Sequence, residues 1–253
     1  MGFRSLIYRL YARRLEASLS PEAVPRHVGV MCDGNRRWAR SAGLLDVSIG
    51  HQKGADKIFE LLDWCREAGV EVVTLWLLST DNLSRPPSEL EPLLKIIEDT
   101  VQRLADRHWH LNPMGALDLL PSETATVFKN AAEATANHPG LLVNVAVGYG
   151  GRQEIADAVR SLLLEHADRG TPIEELAEIL DVEHIAEHLY TAGQPDPDLV
   201  IRTSGEQRIG GFLLWQTIHS EFYFCDAYWP AFRKVDFLRA LRSYAARSRR
   251  FGT

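Results

Sequence analysis

A chain of 253 residues, 45% hydrophobic and 25% charged, holds enough apolar material to bury a core and reads as one large α/β domain or two small ones. Its formal net charge of -6 argues against a protein whose overall field gathers nucleic acid, so any anion site must be local. The three widely spaced cysteines, Cys32, Cys65 and Cys225, fit a reducing cytosol better than a disulfide framework or a zinc site, and no window approaches the ~18 apolar residues of a membrane span.

In chain order, residues 1–24 come first as an N-terminal amphipathic helix. Phe3, Leu6, Ile7, Leu10 and Leu15 recur at helical spacing beside Arg4, Arg9, Arg13 and Arg14. Such a segment suits docking on its own domain or on a partner subunit, and it also suits peripheral contact with a membrane surface. Its apolar stretches are too short for a signal peptide.

Residues 25–253 then alternate short apolar runs with longer helix-period segments. Strands are expected at 27–32, 71–78, 141–147, 198–202 and 211–215, with a short one at 221–225. Helices are expected at 51–68, 88–108, 122–137, 151–167, 173–190 and 231–248, and Pro86-Pro87-Ser88 and Pro121-Ser122 mark two of their starts. The stretch 106–120 reads as a loop or short strand. Runs nearly continuous in Val, Leu and Ile and separated by helices predict an α/β fold: a single domain on a mostly parallel central β-sheet of about six strands flanked by helices. In such sheets ligands bind beyond the carboxyl ends of the strands.

Four of those strand ends carry polar, glycine-rich or arginine-bearing turns. They are Asp33-Gly34-Asn35-Arg36-Arg37-Trp38; Ser79-Thr80-Asp81-Asn82 with Arg85; Gly148 to Arg152; and Arg202 to Arg208. Guanidinium forks bind phosphate oxygens bidentately, and glycine turns let backbone N–H groups approach them. One carboxylate among arginines suits Mg²⁺, which commonly takes one or two protein carboxylates and completes its shell with substrate phosphates. The pattern favours a site for two phosphorylated groups. The glycine turn has neither the Walker A ending nor the dinucleotide fingerprint spacing. His184 and His188 stand four apart on a charged helix and read as a solvated face rather than a metal pair, whereas His51 opens a helix, where an anion is already favoured.

These turns, in this order, resemble the cis-prenyltransferases, the undecaprenyl diphosphate synthase family. The likeness runs over residues 25–252 through DGNRRWA, LSTDNLSRP, NVAVGYGGR and DLVIRTSGEQRIGGFLLWQ, and its wording is nearest to the actinobacterial short-chain branch. The resemblance implies a homodimeric, Mg²⁺-dependent enzyme that joins isopentenyl diphosphate to an allylic diphosphate and leaves a new Z double bond. By the same resemblance Asp33 handles Mg²⁺ and diphosphate, with Glu221 as a further metal ligand. Gly34, Asn35, Arg36, Arg37, Trp38, His51, Ser79, Thr80, Asp81, Leu83 and Arg85 surround the allylic diphosphate. Asn82 belongs to the proton-transfer step. Arg202, Arg208 and Gly210 hold isopentenyl diphosphate, and Arg250 and Gly252 reach the neighbouring subunit's site.

The sequence departs from the family pattern at three places. Arg36 stands where longer-chain members have glycine. The segment between Trp38 and His51 lacks the arginine expected before the glycine-histidine pair, and Arg36 is read as its replacement. Gly210 stands where a serine contact is usual, so only its backbone could serve. On the second strand Leu77 falls where long-chain relatives have a small residue, and Leu77 and Leu78 together are expected to fill the tunnel that receives the growing chain. The expected product is short, (2Z,6E)-farnesyl diphosphate from geranyl diphosphate. The alternatives are a long-chain synthase for a cell-wall lipid carrier or a noncatalytic partner subunit.

Overall fold

The structure, a computed structural model, describes residues 3–247. Strands β1 (His27–Met31), β2 (Val72–Ser79), β3 (His110–Met114), β4 (Leu142–Tyr149), β5 (Leu199–Arg202) and β6 (Glu221–Phe224) form one six-stranded sheet in the order β3-β4-β2-β1-β5-β6. Every pairing is parallel. Parallel neighbours need long crossovers, and these are supplied by α2 (Asn35–Ser41), α3 (Ser48–Ala68), α4 (Pro87–Ala105), α5 (Ser122–Thr135), α6 (Gly151–Asp168), α7 (Ile173–Ile179) and α8 (Val182–Ala186). Helix α1 (Phe3–Ala17) precedes the sheet and α9 (Lys234–Ala245) follows it.

Because successive strand residues face opposite ways, β2 feeds two cores at once. Val73 and Leu75 join the large cluster with Ile58, Leu62, Leu94, Ile97 and Phe237, while Trp76 packs against the smaller cluster of Met31, Tyr149, Val200 and Phe212 on the other face. The chain leaves β1 toward β2 on one side and leaves β5 toward β6 on the other. The crevice beyond the ends of β1 and β5 is therefore the topological switch point, where a doubly covered parallel sheet binds its ligand.

The expected architecture holds, three local expectations change, and the stretch expected as a loop or short strand resolves to a strand. Residues 211–215 form consecutive turns rather than a strand, since Gly210, Gly211 and Leu213 have φ of 57°, 91° and 46° and left-handed backbone cannot extend. The apolar run is real, with Phe212 and Leu213 fully buried, but a short buried run looks the same in a strand and in a packed turn. The stretch 106–120 contains the edge strand β3, where Pro113 is tolerated because one side of the strand needs no ladder. Helix α2 was not foreseen. The single helix expected over 173–190 breaks at Leu180, which is extended, and Asp181 restarts it by accepting a hydrogen bond from the His184 N–H.

Candidate active site

A cleft of about 640 Å³ opens at the switch point. Its lining joins the ends of β1, β2 and β5 and contains six arginines (Arg36, Arg37, Arg40, Arg85, Arg202 and Arg208) against three carboxylates, those of Asp33, Asp81 and Glu206. The positive excess is local, on a chain that is negative overall.

Asp33 is held from both sides. Its backbone N–H donates to Met31 O at 2.8 Å and to the Thr203 hydroxyl at 3.0 Å, while its own carbonyl accepts from that hydroxyl at 2.7 Å and from the Trp229 N–H at 3.0 Å. Its carboxylate meets Arg202 at 3.0 Å through one oxygen and Arg37 at 3.2 Å through the other. Partial burial pushes this carboxyl up, but the Arg202 hydrogen bond and the Arg37 charge outweigh it and hold the pKa below the usual value. From Arg37 the chain of charges continues to Glu206 at 3.1 Å and from Glu206 to Arg208 at 2.8 Å. Arg202, Asp33, Arg37, Glu206 and Arg208 thus alternate in sign across the cleft. Arg202 also donates to the Arg208 carbonyl, and its buried Nε has no hydrogen-bond partner among the described residues, so one donor at the cleft wall is unmatched.

Close approach explains two glycines here. Gly34 has φ of 102°, and a Cβ on it would lie 2.8 Å from the Tyr228 ring. A Cβ on Gly54 would lie 2.2 Å from Asn35 Oδ1, so α3 can seat against the start of α2 only without a side chain there.

The second wall comes from the end of β2. The Asn82 N–H donates to Ser79 Oγ at 3.2 Å, and Arg85 donates to Asn82 Oδ1 at 2.8 Å. Arg36 reaches across the cleft mouth to Glu89 on α4 at 3.2 Å. Burial, followed by the positive charges of Arg85 and Arg36, pushes His51 down to about 4, so its imidazole is neutral at neutral pH. Next to the cleft lies a small, mainly apolar recess of about 30 Å³ lined by Leu77, Ile58, Leu93, Ile97 and Thr100 among others. Leu77 lines both spaces.

The third wall is the long connection from β5 to β6, which carries Arg208 and Gly210. It docks on the start of α6: the Gly151 N–H donates to Gly211 O at 2.8 Å, the Leu213 N–H to the Tyr149 hydroxyl at 3.1 Å, and the Gln216 amide to Glu154 at 2.9 Å. Tyr149 in turn donates to Glu154, whose carboxyl is 1% exposed and is pushed up by burial. Leu213 in left-handed backbone is a strained residue held in place by these contacts.

Of the residues expected at the site, Asp33, Gly34, Asn35, Arg36, Arg37, His51, Leu77, Leu78, Ser79, Asp81, Asn82, Arg85, Arg202, Arg208 and Gly210 line the cleft. Trp38, Thr80 and Leu83 do not. Trp38 is half-buried on α2, Thr80 places its hydroxyl beside Gly150, and Leu83 packs on the large core. Glu221 is also not brought to Asp33. It begins β6 beside Leu199 at the amino end of the sheet, whereas Asp33 lies past the carboxyl end of β1, and its carboxylate is taken by Arg247. Within one chain, Glu221 and Asp33 therefore stand at opposite ends of the sheet. Arg250 and Gly252 lie outside the described residues. Glu206, which bridges two arginines, was missed as a site residue although it stands inside the RTSGEQR turn.

No group of three His, Cys, Asp or Glu side chains among the described residues is arranged to hold a metal. The Asp33 carboxylate could hold a Mg²⁺ ion together with oxygens of substrate phosphate and water.

A parallel sheet with an arginine-rich cleft at its switch point and a small recess beside it suits an enzyme that handles phosphorylated, partly apolar substrates. The chain belongs to the cis-prenyltransferase family: the model described as "Putative undecaprenyl diphosphate synthase" matches residues 31–252. Among curated proteins it is 71% identical to a (2Z,6E)-farnesyl diphosphate synthase of Thermobifida fusca over 97% of both chains. It is 62% identical to isoprenyl transferase 1 of Streptomyces avermitilis, over 99% of this chain and 98% of the other. It is 56% identical to the short-chain Z-isoprenyl diphosphate synthase of Mycobacterium bovis, over 97% of this chain and 95% of the other. Among solved structures, lavandulyl diphosphate synthase from Lavandula x intermedia in complex with dimethylallyl diphosphate superposes with a TM-score of 0.83 at 33% identity, covering 90% of this chain and 98% of that one.

Proposed function

We propose that the protein condenses isopentenyl diphosphate with geranyl diphosphate to give (2Z,6E)-farnesyl diphosphate and free diphosphate. The observation that carries this reading is Leu77, which lines both the arginine-rich cleft and a neighbouring recess of only about 30 Å³. The cleft accommodates the diphosphates, and the recess restricts the hydrocarbon. The names of the short-chain relatives support the same product.

In this reading the allylic C–O bond breaks and its two electrons leave with diphosphate. The allylic carbon bonds to the terminal alkene carbon of isopentenyl diphosphate, and loss of a proton from the adjacent carbon sets the new double bond. Negative charge grows on the leaving diphosphate, so preorganised cations lower the barrier. Arg36, Arg37 and Arg85 supply them on the allylic side, with Gly34, Asn35 and neutral His51 completing the cradle. Arg202 and Arg208 hold the second diphosphate and orient its alkene, with Gly210 offering backbone alone. Asp33 would hold Mg²⁺ together with the substrate's phosphate oxygens, and the ion when bound neutralises diphosphate charge. Asn82 is not basic, and its carbonyl already accepts from Arg85, so it orients substrate or water rather than taking the proton itself.

The working unit in this reading is a homodimer of catalytic domains spanning residues 25–253, with residues 1–24 as an appended helix. The open edge of β6, with Phe224 37% exposed, supports a protein contact there. Parallel assays with labelled isopentenyl diphosphate and dimethylallyl, geranyl or farnesyl diphosphate test the proposal. Geranyl diphosphate should be the best starter, and farnesyl diphosphate the main product. Products of ten or more isoprene units would overturn the short-chain reading, and absence of turnover would leave a noncatalytic subunit.

A further inference from the structure

Helix α1 carries apolar side chains on two faces, and its own domain covers only one of them. At 3.6 residues per turn, Tyr8, Ala12 and Leu15 fall on one stripe. Ala12 and Leu15 are buried against Val235 and Leu238 of α9, with Tyr8 and Tyr11 packed beside them. Leu6, Leu10 and Arg13 fall on the opposite stripe, flanked by Ile7 and Arg14. Leu6, Ile7 and Leu10 are 48%, 51% and 57% exposed, and Arg9, Arg13 and Arg14 are exposed around them. The one acidic residue in the helix, Glu16, is engaged by Lys234 at 2.6 Å and sits at the far end from this patch.

Single exposed leucines are ordinary, but three adjacent aliphatics ringed by arginines form a two-part surface. We propose that this face of α1 rests on an anionic lipid bilayer. Leu6, Ile7 and Leu10 enter the boundary between headgroups and acyl chains, and Arg13 and Arg14 meet the lipid phosphates. Charge complementarity selects this occupant. A second copy of the chain packed face to face about a two-fold axis would set the arginine ring against itself, a like-charge contact that disfavours association. The helix is already folded and docked by its other face, so the bilayer need not order it.

Flotation of the full-length protein with vesicles tests this. Vesicles of equal parts phosphatidylglycerol and phosphatidylcholine should carry at least about tenfold more protein than phosphatidylcholine alone, and the excess should fall at high salt. The triple variant Leu6→Ser/Ile7→Ser/Leu10→Ser should lose flotation by about tenfold or more. The double variant Arg13→Glu/Arg14→Glu should lose the preference for anionic vesicles. Both should keep the wild-type circular dichroism and the turnover of soluble substrates, because the altered side chains are exposed and lie outside the cleft. Wild-type protein that stays in the soluble fraction overturns the proposal, as does a triple variant that floats like wild type. A fall in oligomer mass of the triple variant by light scattering, without lipid, would assign the face to a protein contact instead. Flotation does not depend on turnover, so failure here would leave the prenyl-transfer reading standing.

Discussion

Truncating Leu77 to alanine should lengthen the product. The side chain is half-buried and lines both the cleft and a neighbouring recess of about 30 Å³, room for about one or two water molecules and too little for a further isoprene unit. Forcing additional carbons into a packed interior raises the energy by roughly 1–3 kcal/mol, which slows the next condensation by about 5–150-fold. Removing the Leu77 branch deletes the atoms that impose this penalty, so condensation beyond farnesyl diphosphate should quicken by about 10–100-fold relative to wild type. Stability should fall by only about 1–2 kcal/mol, less than for a fully buried leucine, because part of the side chain is already in contact with solvent. The assay supplies labelled isopentenyl diphosphate in excess over geranyl diphosphate, dephosphorylates the products and resolves them by chain length. A ratio of longer prenyl products to farnesol that shifts less than about twofold would refute the steric argument. Leu78→Ala provides the contrast: at 1% exposure it should cost about 3–5 kcal/mol of stability by denaturant titration, alongside any lengthening.

Asp33→Ala should lower kcat/KM by about a thousandfold or more with geranyl diphosphate, since it removes the carboxylate proposed to hold Mg²⁺ and leaves Arg37 and Arg202 without their shared partner; near-normal turnover would sink that assignment. Tyr149→Phe should raise the KM for isopentenyl diphosphate several-fold more than that for geranyl diphosphate, because it frees the Leu213 N–H and loosens the connection bearing Arg208. Equal changes in both constants would make Tyr149 merely structural. His27 is fully buried, donates from Nδ1 to the Pro195 carbonyl at 2.7 Å and accepts at Nε2 from Thr74 at 2.8 Å; burial pushes it down to about 4. Its folded pKa lies below the unfolded value of about 6.5, so the unfolded chain binds the extra proton. The associated stability is present above pH 6.5 and is lost as pH falls toward 4, about 3 kcal/mol in all. Urea titrations across that range should show a steeper loss in wild type than in His27→Gln, and equal slopes would refute the linkage.

Much of the fold was legible because the signals are local. The Val-Leu-Ile runs of β1, β2, β4 and β5 and the proline-marked starts of α4 and α5 announce themselves within a few residues. The site was legible for a related reason: in a parallel sheet, chemistry collects at strand ends, and the turns after β1, β2 and β5 all carry it. What failed was local evidence with more than one global solution. The run 211–215 is equally apolar as strand or turn, and only the left-handed backbone at Gly210, Gly211 and Leu213 decides between them. Trp38 lies within a turn that forms the cleft yet projects elsewhere, because α2 rotates successive side chains by about 100° each.

The sequence by itself determined which residues could do chemistry: one carboxylate at Asp33, guanidiniums at Arg36, Arg37, Arg85, Arg202 and Arg208, and a bulky Leu77 ahead of the Ser79 turn. Tertiary structure alone decided how they combine. Placing β5 beside β1 brings Arg202 within 3.0 Å of Asp33, a residue 169 positions earlier in the chain. Parallel pairing sends Glu221 to the opposite end of the sheet from Asp33. Strand order and direction are long-range properties set by which faces bury together, and no spacing along the chain encodes which end of a strand a residue will meet.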